Sequence, residues 1–337
     1  MGAMDEQLIR KIPKAEMHIH LEGSFEPELM FALADRNRVR LPYASVDEVR
    51  RAYQFTDLQS FLNIYYAAAQ ALQNEQDFYD LTWAYLQRAH AQTVRHVEPF
   101  FDPQTHTARG VAFETVLAGI TRALGDGARQ LGISWRLVMC FLRDLPVDTA
   151  MRTLEQALPF RDRIVGVGLD SAEAGHPPAD FAAVFERARG AGLRVVAHAG
   201  EEGPPEYIWQ ALDVLKVSRI DHGVRCMEDP RLVDRLVADR VPLTVCPLSN
   251  VKLRVVKTMA EHPVKRMLDR GLCVTLNSDD PGYFGGYILD NYRAVAQTFA
   301  LSRAELGTIA RNAIQATFLD DAGKRTLLGE LDTVMAS

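Results

Sequence analysis

Residues 15–23 read AEMHIHLEG, a short run in which His18 and His20 alternate with apolar residues. In a β-strand, side chains two positions apart point to the same face, roughly 6 to 7 Å from one another. Both imidazoles would therefore face the same way, with room for a metal ion between them. The pattern is weak evidence by itself, because a strand histidine is more often a hydrogen-bonded core residue. It gains weight only where the chain supplies further ligands.

Apolar, β-branched runs of the kind found in buried parallel strands recur along the chain. Together with residues 15–20 they predict eight strands, the others being Val94–Phe101, Trp135–Leu142, Ile164–Leu169, Leu193–Ala199, Arg219–His222, Pro242–Cys246 and Cys273–Asn277. Amphipathic helical patterns lie between most of them, at 113–132, 147–160, 178–190, 207–216, 230–239 and 263–270. This alternation predicts an α/β fold, a closed (β/α)8 TIM barrel. An open doubly wound sheet is the alternative, but the glycine fingerprint that it often carries is absent.

The interval between the first two strands is too long for one crossover helix and predicts a helical insertion at about 24–90. Residues 54–66 place apolar side chains at helical spacing, and the stripe includes Phe55, Leu58, Phe61 and Leu62. We interpret it either as an ordinary packing face or as a lid over the barrel mouth. Residues 302–335 predict extra C-terminal helices. Without a linker or repeat, residues 1–337 are expected to form a single catalytic domain, apart from residues 1–4, which resemble in part a cloning remnant.

Composition restricts the partners. The chain has 337 residues, 47% of them hydrophobic, and a formal net charge of −6, so it can bury a full core but offers no general basic surface for nucleic acid. No apolar run approaches the ~20 residues that span a bilayer. The four cysteines lack the CxxC spacing of a metal site or disulfide framework. We therefore expect a cytoplasmic protein with a small-molecule partner and no nucleic-acid or membrane partner. The sequence leaves its homo-oligomeric state open.

Polar side chains follow the predicted strands at the ends that meet at the mouth of a barrel. They lie at 18–22, 170–173, 198–201, 221–222 and 277–280. Three imidazoles and one carboxylate suit a divalent transition metal with one position open for water, and we predict the ligands to be His18, His20, His198 and Asp279. Such a metal lowers the pKa of its water to near 7, which predicts hydrolysis. Glu201 is then the proton donor and acceptor, and His222 could take a proton from the water and hold the hydroxide in position.

Four motifs, HIHLEG, HAGE, DHG and NSDDP, together resemble the adenosine and adenine deaminases of the metal-dependent amidohydrolase superfamily, over nearly the whole chain. The resemblance implies one metal per chain, commonly zinc, on the four predicted ligands; iron, manganese and cobalt also suit such a site. It implies that Glu201 protonates purine N1, that His222 orients the hydroxide and that Asp280 bonds N7. The amino group at C6 of a 6-aminopurine then leaves as ammonia.

The resemblance also bears on which purine is used. Members of the family that use nucleosides usually read HxHLDG, and this chain has Glu22 in place of that aspartate. We hypothesise that Glu22 accepts a hydrogen bond from a ring N–H of the free base that adenosine lacks. Residues 168–178 and 281–287 resemble the adenine branch. The same resemblance places Ser171 and Glu173 where the N3 edge of the purine is contacted, by side chain or by backbone. We also predict Gly200 to be a substrate-binding residue. The prediction is hydrolysis of adenine to hypoxanthine and ammonia, a reaction of purine salvage.

Two alternatives stay open. In the first alternative, the same mechanism acts on adenosine or on an N6-substituted adenine, because the sequence does not show how much room surrounds C6. The alternative of another class is a catalytically silent metal-binding or ligand-sensing barrel. The presence of every predicted ligand, and of Glu201 and His222, disfavours it.

Overall fold

The computed structural model describes residues 3–337. All strand pairs in this part of the chain are parallel. The strands are β1 (Lys14–Glu16), β2 (Val94–Val97), β3 (Phe100–Phe101), β4 (Ser134–Trp135), β5 (Val138–Leu142), β6 (Gly166–Asp170), β7 (Arg194–Ala199), β8 (Arg219–His222), β9 (Pro242–Val245) and β10 (Cys273–Leu276).

Residues 17–20 close these strands into a ring. The strands pair in two orders, β10-β9-β8-β7-β6-β5-β3 and β1-β2-β4. Ile19 forms a bridge to Asp279, beyond β10, and His20 forms one to Phe100 in β3. The His20 N–H donates to the Asp279 carbonyl at 3.0 Å, and the Phe100 N–H donates to the Ile19 carbonyl at 2.8 Å. The fold is a (β/α)8 barrel, which confirms the prediction.

Three of the eight predicted strands are broken into short pieces. The first, predicted over residues 15–20, consists of β1 and the isolated bridges of Ile19 and His20, so His18 lies outside a strand. The second strand consists of β2 and β3, with Glu98 and Pro99 between them. Proline has no N–H to give to the ladder, so the pairing stops there. The third strand breaks beside it, because β2 pairs with β4 whereas β3 pairs with β5.

Helices surround the ring. They are α1 (Ala3–Lys11), α2 (Pro27–Asn37), α3 (Val46–Ala52), α4 (Leu58–Ala69), α5 (Glu75–Ala91), α6 (Pro103–Thr107), α7 (Phe113–Leu131), α8 (Val147–Ala157), α9 (Ala182–Gly190), α10 (Pro205–Gln210), α11 (Pro230–Ala238), α12 (Pro247–Lys252), α13 (Val264–Asp269), α14 (Pro281–Phe284), α15 (Ile288–Phe299), α16 (Arg303–Ala316) and α17 (Asp321–Ala336). Among residues 3–337, none of the helices has the length and apolar content to cross a membrane. Part of the cloning remnant suggested for residues 1–4, namely residues 1 and 2, lies outside the described residues.

The insertion after the first strand contains α2 to α5. Its α4 begins at Leu58 and not at residue 54, because Asp57 caps the helix there. The Asp57 carboxylate accepts the Ser60 N–H at 2.8 Å, and the Ser60 hydroxyl oxygen accepts the Asp57 N–H at 3.3 Å. This reciprocal capping box satisfies N–H groups that a helix start leaves unpaired. Phe55 therefore precedes the helix that carries the rest of the apolar stripe.

A buried ion pair lies at the opposite end of the barrel from the strands' carboxyl ends. Arg219, the first residue of β8, donates from Nη1 to Glu98 Oε2 at 2.7 Å, and both side chains are fully buried. His96 Nε2 lies 3.1 Å from the other Glu98 oxygen. Burial alone would raise the pKa of Glu98, but Arg219 and His96 outweigh it and lower that pKa to about 2. In barrels of this kind, residues at this end serve stability and not chemistry.

Candidate active site

At the carboxyl ends of the strands, donor atoms of His18, His198, His222 and Asp279 lie within 4.8 Å of one another, and the fourth predicted ligand, His20, lies beside His198 and Asp279. Asp279 Oδ1 lies 3.1 Å from His18 Nε2 and 3.5 Å from His20 Nε2. His198, in β7, places its Nε2 3.2 Å from that of His20. All four side chains are buried. Asp279 has a φ of +64°, a left-handed backbone that is uncommon outside glycine and that often marks functional positions.

The tautomer of His18 fits a metal ligand. Its Nδ1 lies 3.2 Å from the Thr244 carbonyl oxygen, which can only accept, so Nδ1 carries the proton. Nδ1 is also 2.9 Å from the Thr244 hydroxyl oxygen, whose proton goes to Asp221. In the neutral ring, His18 Nε2 is left with a lone pair that faces the Asp279 carboxylate, so a proton or a metal ion is favoured between these two atoms. Two buried lone-pair atoms held this close call for a cation between them.

The charges around this cluster also favour a cation. Burial alone would lower the pKa of His18, but the carboxylates of Asp279 and Asp221 outweigh it and raise that pKa. Burial lowers the pKa of His20 to about 4 and that of His198 well below its ordinary value, which keeps both rings neutral at pH 7. Neutral imidazoles are the form that binds metal. The residues present thus fit a divalent transition metal of the zinc class.

Glu201 and His222 lie beside the cluster. His222 Nε2 is 3.4 Å from Glu201 Oε2 and 3.8 Å from Asp279 Oδ2. One Glu201 oxygen, Oε1, is buried without a hydrogen-bond partner. Burial, followed by the charges of Asp279 and Glu173, raises the pKa of Glu201 well above its ordinary value. This environment favours the protonated form of Glu201, which can donate.

The carboxylate of Glu173 binds the backbone of the loop that carries Glu201. Its carboxylate accepts the backbone N–H groups of four consecutive residues at 2.6 to 3.0 Å, namely Gly200, Glu201, Glu202 and Gly203. Both oxygens are engaged, and neither Glu173 nor Gly200 lines the cavity described below. Gly200 has a φ of +71°, and a Cβ there would overlap with Ile208. Glu173 thus holds the loop that carries Glu201.

A small cavity, of about 40 Å³, lies over the cluster. Glu201, His222, Asp280 and Ser171 contribute polar walls, and Leu58, Phe61 and Leu62 of α4 cover it together with Leu142 and Leu253. Phe55 does not line it; its ring packs on those of Phe61 and Phe284, at centroid distances of 5.4 and 6.0 Å. Three of the four residues predicted as a lid therefore reach the cavity, and the fourth supports them from behind.

Two predicted substrate-binding carboxyl groups carry unpaired oxygens. Glu22 Oε1 accepts from His106 Nε2 at 2.7 Å and from the Asp102 N–H at 3.3 Å, while its Oε2 is buried without a partner. Asp280 Oδ1 is also unpaired, and burial together with Asp279 raises the pKa of Asp280 well above its ordinary value. Gly23 makes room for it, because a Cβ at that position would overlap with the Asp280 carboxylate.

Several cavity residues escaped the sequence-based prediction. Tyr65 donates its hydroxyl to Asp102 at 3.0 Å, and the hydroxyl groups of Tyr66 and Ser171 lie 2.8 Å apart. Burial and the charge of Glu22 raise the pKa of Asp102 to about 7. Asp170 lies 3.5 Å from His20 Nδ1. Asp102 directly follows a strand and precedes a proline, as Asp280 precedes Pro281, so the strand-end rule could have found it.

Comparisons with known proteins agree with this geometry. The family model described as adenosine deaminase matches residues 13–334. The adenine deaminase of Acinetobacter baylyi is 58% identical, over 97% of this chain and 99% of its own length. The crystal structure of an adenine deaminase from Arthrobacter aurescens superimposes with a TM-score of 0.95 at 53% identity, covering 96% of this chain and 99% of that one.

A more distant structure is also similar over its length. An amidohydrolase from Burkholderia ambifaria with bound Zn has a TM-score of 0.91 at 28% identity, and the match covers 100% of this chain and 95% of that one. Since the family model spans residues 13–334, which hold the whole barrel and its site, the chain belongs to the adenosine deaminase family.

Proposed function

We propose that this protein is an aminohydrolase that converts adenine and water to hypoxanthine and ammonia. The observation that carries the proposal is the meeting, at one cavity, of the His18–His20–His198–Asp279 cluster with the buried carboxyl group of Glu201. Relatives that are named adenine deaminase over almost the full chain support the choice of substrate. One hydrophobic core containing residues from Leu8 to Leu331 supports a single catalytic domain.

We infer that the cluster holds one divalent metal ion, with zinc favoured. Three imidazole nitrogens and a carboxylate are a donor set that zinc accepts, and the Burkholderia ambifaria amidohydrolase contains Zn. A metal bound there supplies a Lewis acid that makes water nucleophilic at neutral pH.

The side chains around the cavity supply the proton chemistry. The raised pKa of Glu201 favours its protonated form, which can give its proton to purine N1 as water adds at C6, so that negative charge does not build up on the ring. Asp280, whose pKa is raised, can donate a hydrogen bond to N7, which has a lone pair and no proton. The apolar side chains of Leu58, Phe61 and Leu62 exclude bulk water from the ring.

Preference for the free base is the finer part of the proposal. Glu22 does not itself line the cavity, but it binds the N–H of Asp102, which does, and its Oε2 has no hydrogen-bond partner among the described residues. The proposal assigns this oxygen to a ring N–H of adenine. Adenosine carries ribose in place of that N–H and would leave the acceptor unpaired. A site that loses a buried hydrogen bond can discriminate strongly against the analogue that lacks it.

A substrate screen tests the proposal. Zinc-loaded protein is assayed for ammonia release from adenine, adenosine and N6-methyladenine, and kcat/KM is compared. We expect adenine to be the best substrate. Equal or better turnover of adenosine would refute the adenine preference while leaving a deaminase, and no ammonia from any of the three would refute the proposed function itself.

A further inference from the structure

A chain of hydrogen bonds runs from the backbone of α13 to the back of His222. The Val264 N–H donates to His262 Nδ1 at 3.0 Å. His262 Nε2 lies 3.1 Å from Asn250 Oδ1, and Asn250 Nδ2 lies 3.4 Å from His222 Nδ1. His262, Asn250 and His222 are all buried, at 2%, 0% and 1% exposure, so water does not compete for these contacts.

The chain has only one consistent direction. A backbone N–H can only donate, so His262 Nδ1 accepts, and a neutral ring must then carry its proton on Nε2. Burial lowers the pKa of His262 to about 4, so the ring is neutral at pH 7. Its Nε2–H donates to Asn250 Oδ1, which turns the amide NH2 of Asn250 toward His222. His222 Nδ1 is thereby an acceptor, and its own proton lies on Nε2.

We propose that Asn250 and His262 are positioning residues that hold His222 as the Nε2–H tautomer, a hydrogen-bond donor into the active site. Nε2 is the nitrogen that faces Glu201 and Asp279. The left-handed backbone of His222, with a φ of +64°, is a further sign of a position under functional constraint. The inference rests on the proposed function for its catalytic meaning, but the tautomer is a property of the resting protein.

This assignment changes the role that the sequence predicted for His222. A ring nitrogen that already carries a proton cannot take one from water at that atom. His222 then orients the reacting oxygen by donating a hydrogen bond. The proton that the water loses goes to the Glu201 carboxylate, which is left when Glu201 has protonated N1 and which lies 3.4 Å from His222 Nε2. The ring nitrogen that remains basic, Nδ1, faces Asn250 and not the cavity.

The Asn250→Asp variant tests the proposal, because a carboxylate at this position only accepts and draws the His222 proton to Nδ1. Zinc-loaded protein with 15N-labelled histidine is examined by long-range 1H–15N NMR, which shows which ring nitrogen carries the proton; the His222→Gln variant assigns the signal. We expect Nε2–H in the unsubstituted protein and Nδ1–H in Asn250→Asp. Nδ1–H in the unsubstituted protein would overturn the proposal, whether or not the protein deaminates adenine.

Kinetics with adenine separate positioning from a merely structural role. We expect Asn250→Asp and His262→Leu to lower kcat by about 10- to 100-fold with little change in KM and with full zinc content, the effect usual for residues that orient a site group. His262→Gln keeps a side-chain N–H donor at this position and should retain most of the activity of the unsubstituted protein. Unchanged kcat in Asn250→Asp at full zinc content, with the shifted tautomer seen by NMR, would overturn the catalytic part.

Discussion

Two buried glutamates of the site, Glu22 and Glu201, have pKa values shifted in opposite directions by their neighbours. Burial raises the pKa of both, but at Glu22 the hydrogen bond and charge of His106 outweigh burial and lower it. No positive group of comparable strength faces Glu201, and Asp279 and Glu173 add to the effect of burial. One carboxyl group is thus kept as an acceptor and the other as a donor, which are the protonation states that their proposed roles require.

Replacement of Glu201 by Gln should remove the proton while leaving the shape of the side chain. We expect kcat/KM for adenine to fall by about 10²- to 10⁴-fold, the range usual for loss of a general acid. Zinc content, measured on the same samples, should stay at one per chain. Glu202→Gln, a half-buried neighbour on the same loop, is the matched control, and an equal loss there would contradict the role given to Glu201.

Replacement of Glu22 by Asp should withdraw the carboxylate from the purine and from His106. We expect kcat/KM for adenine to fall by at least about tenfold, without a parallel fall for any residual adenosine activity, because only the free base has the N–H to lose. Steady-state kinetics with both substrates check this. Undiminished adenine activity would show that Glu22 is not the residue that selects the free base.

At the scale of elements, the loop after β7 depends on one carboxylate from the loop after β6. Four N–H groups of residues 200–203 converge on Glu173, so a segment without regular structure has its backbone donors satisfied. Arg143 supports the same region by donating from Nη1 to the His198 carbonyl at 2.7 Å. The position of Glu201 is thus set by a neighbouring loop and not by its own strand alone.

Replacement of Glu173 by Gln tests that dependence. The amide turns an NH2 toward backbone donors that need an acceptor, and we expect kcat/KM for adenine to fall about 10- to 100-fold, as for other residues that orient a site. Zinc content should be unchanged, because no predicted ligand lies on residues 200–203. The control is Glu206→Gln, an exposed residue of α10, and an equal effect on both variants would argue against a clamp.

At the scale of the whole molecule, the barrel carries its chemistry and its buried ion pair at opposite ends. The His18–His20–His198–Asp279 cluster lies where the strands end, and Glu98 and Arg219 lie where β8 begins. The two polar groups have opposite requirements: the first leaves atoms unpaired for a ligand, whereas Glu98 is bonded to Arg219, His96 and the Phe318 N–H. Asp221 lies between the two, because its Oδ1 is 3.9 Å from both Arg219 Nε and His18 Nδ1.

Acid unfolding should report on Glu98. Its pKa falls from 4.5 to about 2 on folding, so its contribution is present above pH 4.5 and is lost as the pH falls toward 2. The shift corresponds to about 3 kcal/mol. We expect Glu98→Gln to lower Tm at pH 7 and to flatten the dependence of Tm on pH below 4.5. The control is Glu330→Gln, which breaks a partly exposed pair with Arg95. It should have little effect on Tm at pH 7 or on the dependence of Tm on pH.

The sequence by itself determined the class of fold and predicted the ligand set. Strand and helix periodicity is local, and it places His18, His20, His198 and Asp279 at strand ends whatever the details of the barrel. The periodicity did not predict the exact ends of the elements. The Asp57 cap places the start of α4 at Leu58, and Pro99, which has no N–H, divides the second strand.

Only the tertiary structure decided which side chain faces which. Glu173 clamps a loop, His106 binds Glu22, and Asn250 and His262 stand behind His222, although no spacing in the sequence connects these pairs. The reason is physical: contacts across the barrel depend on ring closure and register between distant strands, whereas sequence patterns report only on neighbours along the chain. The direction of each hydrogen bond, and hence each protonation state, follows from those contacts.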